Sequence, residues 1–97
     1  MSASFNDTIH APLRLRTCAF LEGTTEVEFG VLRDFLAVAD SVVSKHLKVL
    51  QEADYVELRK PTGRGRVRTW VSLTKQGRAA YAAHVAALRA LVEPDAR

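Results

Sequence analysis

The residues best suited to chemistry in this chain are cationic, and they come in two clusters. On a 3.6-residue wheel Ser41, Lys45 and Lys48 share one helix face, with Ser44 at its flank and Val43, Leu47 and Leu50 opposite. Lysine donates to guanine O6 and N7 or to phosphate, and serine to either at shorter reach. Val42 is placed to meet a thymine methyl, and no acid neighbours these lysines before Glu52. The positive end of the helix dipole adds attraction for phosphate. The second cluster is Arg59, Lys60, Arg64, Arg66 and Arg68, five positive charges with no acid among them. Arginine forks suit phosphate oxygens or a narrow minor groove, and Gly63 and Gly65 let the segment approach a surface closely. Either cluster alone also fits an ordinary solvated helix face, or a hairpin that uses charge to resist edge pairing.

Charge distribution favours an anionic partner. The net charge is only +3, yet Ser41 to Arg78 carries nine basic residues against three acidic ones, while the remainder carries five against eight. The 97 residues suit one compact domain, and 47% hydrophobic with 26% charged residues is a folded, globular profile. A core of this size is thin, so subunit association would help it. No apolar run approaches the roughly 20 residues of a membrane span. The opening MSASFNDTIH lacks the pattern of a signal peptide, and a lone Cys18 cannot form a disulfide within the chain. A cytoplasmic protein is expected.

Hydrophobic periodicity supplies the elements that must position these clusters. A first helix follows Asp7 or Thr8 as cap, or starts at Pro12, and runs to about Glu22 before Gly23. It carries two apolar stripes, Leu15/Cys18/Leu21 and Ile9/Leu13/Phe20, and so needs two partners. A second helix, about Phe29 to Val38, turns Phe29, Leu32, Phe35 and Leu36 inward, and Ala39 and Asp40 break it. A third helix runs from Ser41 to about Ala53. The period then becomes two: Val56 and Leu58 alternate with Glu57 and Arg59 in one strand, and Val67, Thr69, Val71 and Leu73 alternate in a returning strand after the turn Pro61 to Gly65. Thr74 can cap a last helix, Lys75 to about Val92, in which Gly77 is a weakness. A short β-segment near Val27 is a candidate third strand. The expected class is α+β, mostly helical, as a single domain over residues 1–97.

The run ADSVVSKHLKVLQEADYVELRKPTGRGRVRTWVSLTKQGRAA resembles the core of the short winged helix-turn-helix regulators of the MarR and ArsR type. There a serine-rich turn leads into a "SKHLKxLxxAxYV" helix, a β-hairpin wing follows, and "LTxxGR" opens the last helix. IHAPLRLRTCAFL also looks like their first helix, so the resemblance spans roughly Ile9 to Leu91. It implies a winged helix-turn-helix with a three-helix core, β-hairpin wing and C-terminal helix. It further implies a homodimer that reads a pseudo-palindromic operator on double-stranded DNA as a transcriptional regulator, a repressor foremost. Ser41, Ser44, Lys45, His46 and Lys48 become the groove-facing set on recognition helix 41–53, and Arg64, Arg66 and Arg68 the contacts of wing 59–68. His46 lies on the border between faces, where packing and phosphate contact are both open. One departure is Asp54, where the family usually has glycine; aspartate tolerates the left-handed backbone, so the turn should survive.

Surplus apolar surface on the first and last helices predicts a two-fold interface through Ile9, Leu13, Phe20, Tyr81, His84, Leu88 and Leu91. No enzyme is expected, because no nucleophile elbow, paired carboxylates or phosphate-binding glycine loop can be read. No cofactor or metal is expected either. Cys18, His10, His46 and His84 are scattered, although His10 and His84 could meet across a dimer. Two rival readings remain: a winged-helix protein-interaction module, and a repressor responsive to a small molecule or metal bound at the dimer interface.

Overall fold

The computed structural model describes residues 5–61 and 68–93, and it opens with two helices where one was expected. α1 (Asp7–His10) and α2 (Pro12–Glu22) are parted at Ala11, whose ψ of 132° lies outside the helical region. Pro12 is the cause: its ring pushes the preceding residue out of the α conformation while itself fitting a first turn. Asn6 caps α1, its Oδ1 accepting the Ile9 amide at 3.0 Å. The chain continues through β1 (Val27–Glu28), α3 (Phe29–Leu36), α4 (Asp40–Glu52), β2 (Val56–Arg59), β3 (Trp70–Leu73) and α5 (Lys75–Val92). The strands form an antiparallel sheet in the order β1-β3-β2, with Val27 opposite Val71 and Val56 opposite Leu73. The segment at Val27 is thus the expected third strand.

Three boundaries differ from expectation. α3 stops at Leu36, two residues short of Val38, because Ala37 turns left-handed at φ 58°. α4 starts at Asp40 instead of Ser41. β3 starts at Trp70; Val67 lies outside the described residues, and Thr69 uses its carbonyl to accept the Phe29 amide at 2.8 Å.

The core joins Ile9, Cys18, Leu21, Leu32, Leu47, Leu50 and Val71, each at most 2% exposed. Side chains of this kind contribute about 1.5–3 kcal/mol each when removed from water. Ile9, assigned by sequence to an association face, is 0% exposed and belongs to this core. The break at Ala11 redirects α1, so Ile9 no longer continues the stripe of α2. Burial pushes the Cys18 thiol up to about 12, which leaves it unreactive. Phe35, expected inward, is 42% exposed. Leu32 and Leu36 fill the core side of α3, and Phe35 instead stacks on Phe20 of α2 with ring centroids 4.2 Å apart.

The join between α4, the sheet and α5 explains two motifs. Asp54 adopts φ 64°, so the Tyr55 amide reaches back to the Leu50 carbonyl (2.9 Å) and the Asp54 amide to that of Gln51 (2.9 Å). This is the Schellman ending, in which a left-handed residue satisfies the last helical carbonyls. Thr74 then ties α5 to the same turn. Its hydroxyl donates to the Asp54 carbonyl at 2.6 Å and accepts the Gly77 amide at 2.9 Å. A side-chain carbon at position 77 would sit 2.0 Å from the Tyr55 carbonyl oxygen, so the glycine that looked like a weakness is a requirement of packing.

Candidate nucleic-acid interface

α4 turns Val43, Leu47 and Leu50 into the core and leaves Ser41, Ser44, Lys45 and Lys48 exposed, with Val42 half-buried. Among the described residues no ion pair involves Lys45, Lys48 or Lys60. Ser44 meets the root of the wing: with Asp40, Leu58, Lys60, Phe29 and Thr69 it lines an open cleft of about 260 Å³. The helix and the wing therefore present hydroxyl and ammonium groups to one side of the molecule.

Asp40, expected in the break before this helix, belongs to it. It is the first residue of α4, and its Oδ1 accepts from Arg33 Nη1 of α3 at 3.0 Å. Arg33 Nε also reaches Asp34 at 3.1 Å, and these two carboxylates raise the guanidinium's already high pKa.

His46 is committed to the protein. Its Nδ1 lies 3.1 Å from Arg14 Nη1 of α2, and Arg14 Nε donates to the Thr8 carbonyl at 2.5 Å. Guanidinium only donates, so His46 Nδ1 is the acceptor and the ring is neutral. Partial burial first, then the charges of Arg14 and Lys45, lower its pKa. His46 thus braces α4 against the helices behind it. No local pattern points to Arg14 in this role, because the pairing joins elements 32 positions apart.

The wing root is less cationic than its sequence. Arg59 grips the Glu26 carboxylate at 2.5 and 3.3 Å, and Arg68 Nε lies 3.2 Å from Glu28. Arg59 also stands 5.9 Å from the Trp70 ring centre. The hydrogen bond from Arg59, aided by its charge and opposed by desolvation, lowers the Glu26 pKa. Glu26-Val27-Glu28 is a period-two pattern that buries Val27 and presents two acids to the wing strands. That pattern was readable; which strand it faced was not. Arg64 and Arg66 lie outside the described residues.

The residues assigned to association divide. His84 is 0% exposed, so like Ile9 it offers no surface to a partner. Its Nδ1 accepts the Asn6 backbone amide at 2.9 Å and its Nε2 lies 3.2 Å from His10 Nδ1, with the Phe5 ring 4.7 Å from each imidazole. The pair imagined across a dimer is thus a contact within one protomer, which holds the N-terminal segment on α5. Leu13, Phe20 and Tyr81 are half-buried against the core. Leu88 is half-buried, whereas Leu91 and Val92, at the end of α5, are 70% and 74% exposed.

Comparison with known proteins agrees with this geometry. Residues 13–92 match the family model of the winged helix DNA-binding domain. An uncharacterized protein of Methanocaldococcus jannaschii is 36% identical over 69 residues, 71% of this chain and 75% of that protein. The structure of a transcriptional regulator homologue from Pyrococcus horikoshii OT3 superposes with a TM-score of 0.84 at 23% identity, covering 89% of this chain and 85% of that one. A homodimeric winged helix-turn-helix DNA-binding domain from Mycobacterium bovis, a possible ArsR-family regulator, superposes with a TM-score of 0.70 at 18% identity, covering 93% and 81%. Family match, element order and the exposed basic face of α4 agree, and the chain belongs to the winged helix DNA-binding domain family.

Proposed function

We propose that this chain is a transcriptional regulator, a repressor foremost, that binds a pseudo-palindromic operator as a homodimer in the cytoplasm. α4 enters the major groove with Ser41, Val42, Ser44, Lys45 and Lys48 toward the bases and phosphates. The wing, residues 59–68, lies on the minor groove or backbone, with Lys60, Arg64 and Arg66 joined by Arg59 and Arg68. The observation that carries this reading is the shared cleft. Ser44 of α4 and Lys60 of the wing root line one depression, so one duplex can engage both elements. His46 serves the interface from behind, as a brace. The homodimeric M. bovis domain supports two-fold association. Here the exposed end of α5, Leu91 and Val92 with half-buried Leu88 one turn before them, is the apolar surface offered, whereas Leu13, Phe20 and Tyr81 lie half-buried against the core.

Selection from a random duplex library at two salt concentrations tests the reading. Enrichment of a two-fold symmetric motif, with affinity falling steeply in salt, is the expected result. No enrichment, and no duplex binding at low salt, would transfer the proposal to a protein partner.

A further inference from the structure

The start of α4 holds a group that a purely phosphate-binding face would not carry. Asp40 is the helix's first residue, its side chain is 67% exposed, and it shares the cleft with Ser44 and Lys60. Arg33 does not cancel its charge. That guanidinium is divided between Asp40 and Asp34, so the three groups together remain negative. The tie to Arg33 uses only Oδ1 of Asp40 and fixes where the carboxylate points.

A carboxylate has only acceptor sites. Against a DNA backbone it is repelled by every phosphate. On the floor of the major groove it meets two kinds of donor, the N4 amino group of cytosine and the N6 amino group of adenine; guanine and thymine edges offer acceptors. Adenine sets its N7 acceptor beside the amino group, which opposes a second carboxylate oxygen, whereas cytosine does not. The first turn of a recognition helix is also where base edges are read.

We propose that Asp40 is a specificity-determining residue that selects cytosine at one position of each half-site, with Arg33 as its positioning residue. This rests on the reading of α4 as the groove-entering helix. Ser44, one turn further along, contacts a neighbouring base or phosphate. Asp40 lowers affinity for DNA in general and restores it only where an amino group is presented, so it discriminates mainly by rejection.

Library selection with the wild type, Asp40→Ala and Asp40→Asn tests this. The wild-type motif should hold one cytosine per half-site, favoured about tenfold over other bases, in line with a single base-pair discrimination. Asp40→Ala should lose preference at that position alone and bind random duplex at least as well as the wild type. Asp40→Asn keeps an acceptor for Arg33 and gains a donor, so it should shift the position towards adenine. A role confined to helix stability would change melting temperature or overall affinity without altering one motif position. If Asp40→Ala does not fold, the Asn variant decides: an unshifted motif overturns the proposal. If wild type and variants share one symmetric motif, the assignment of Asp40 fails while α4 stands as reader. If the wild type enriches no motif, base reading by α4 fails, and this proposal with it.

Discussion

The two cationic regions look alike in sequence and differ in the fold. On α4, Lys45 and Lys48 project from a helix whose opposite side is sealed in the core, and no ion pair among the described residues engages them. At the wing root, Arg59 and Arg68 are already held by Glu26 and Glu28. A phosphate meeting α4 displaces only water and counterions, whereas one meeting the wing root must compete with a carboxylate. Exposed pairs of this kind are weak, so the exchange is feasible, but it reduces what those arginines add to affinity. Equal counts of positive charge therefore do not mean equal attraction for DNA.

The largest effect expected removes both regions together. Gly77→Ala drives a carbon into the Tyr55 carbonyl, and overpacking against backbone should lower unfolding free energy by about 3 kcal/mol. Denaturant titration would measure it, and an unchanged midpoint would show that α5 can shift away without consequence. Next comes Lys45→Ala with Lys48→Ala. Operator affinity should fall roughly a hundredfold and the salt slope should flatten by about 2, as two lysine contacts are lost. A smaller loss than that caused by removing Arg59 and Arg68 would reverse the comparison. Third, Glu26→Gln with Glu28→Gln should raise affinity for specific and non-specific duplex alike, by roughly fivefold, because freed arginines no longer face a competing carboxylate. Unaltered affinity would mean that the wing-root arginines stay off the DNA.

The smallest effect separates the brace of α4 from the wing. His46 and His84 both have lowered pKa values in the fold, first through burial. His10 lowers that of His84 further, and Asp7 opposes it. Below the unfolded histidine value of about 6.5 the unfolded chain takes up more protons than the native one. Stability is therefore intact above that pH and declines as pH falls beneath it. Unfolding titrations at pH 7.5 and about 5.5 should show the drop, and His46→Gln should lessen it. A wild type that is equally stable at both would refute the neutral pairing of Arg14 with His46.

The fold was largely legible because it is written in local periodicity. The 3.6-residue recurrence of Val43, Leu47 and Leu50, the alternation around Val56 and Val71, and the cap at Thr74 each depend on near neighbours. The left-handed turn at Asp54 was expected from the family resemblance, which has glycine there, and its φ of 64° agrees. What escaped depends on partners far apart in the chain. Ile9 and His84 look like surplus surface until Ala11 bends α1 under α5 and Asn6 reaches the His84 ring. Glu26 and Glu28 look remote from the wing until β1 pairs with β3. Gly77 looks like a flaw until Tyr55 is placed beneath it. Exposure of the serines and lysines of α4 followed from one helix alone, and it agrees with the structure.

The contact between Thr74, Gly77 and the turn at Asp54–Tyr55 also acts as a ruler. Because α5 begins against the very turn that ends α4, the angle between the two helices cannot open at their junction. In a two-fold assembly built through the far end of α5, this would set the distance between the two copies of α4 in advance. Such a dimer would measure DNA as well as read it, and inserting a single base pair between half-sites would offend its geometry even where every base contact was preserved.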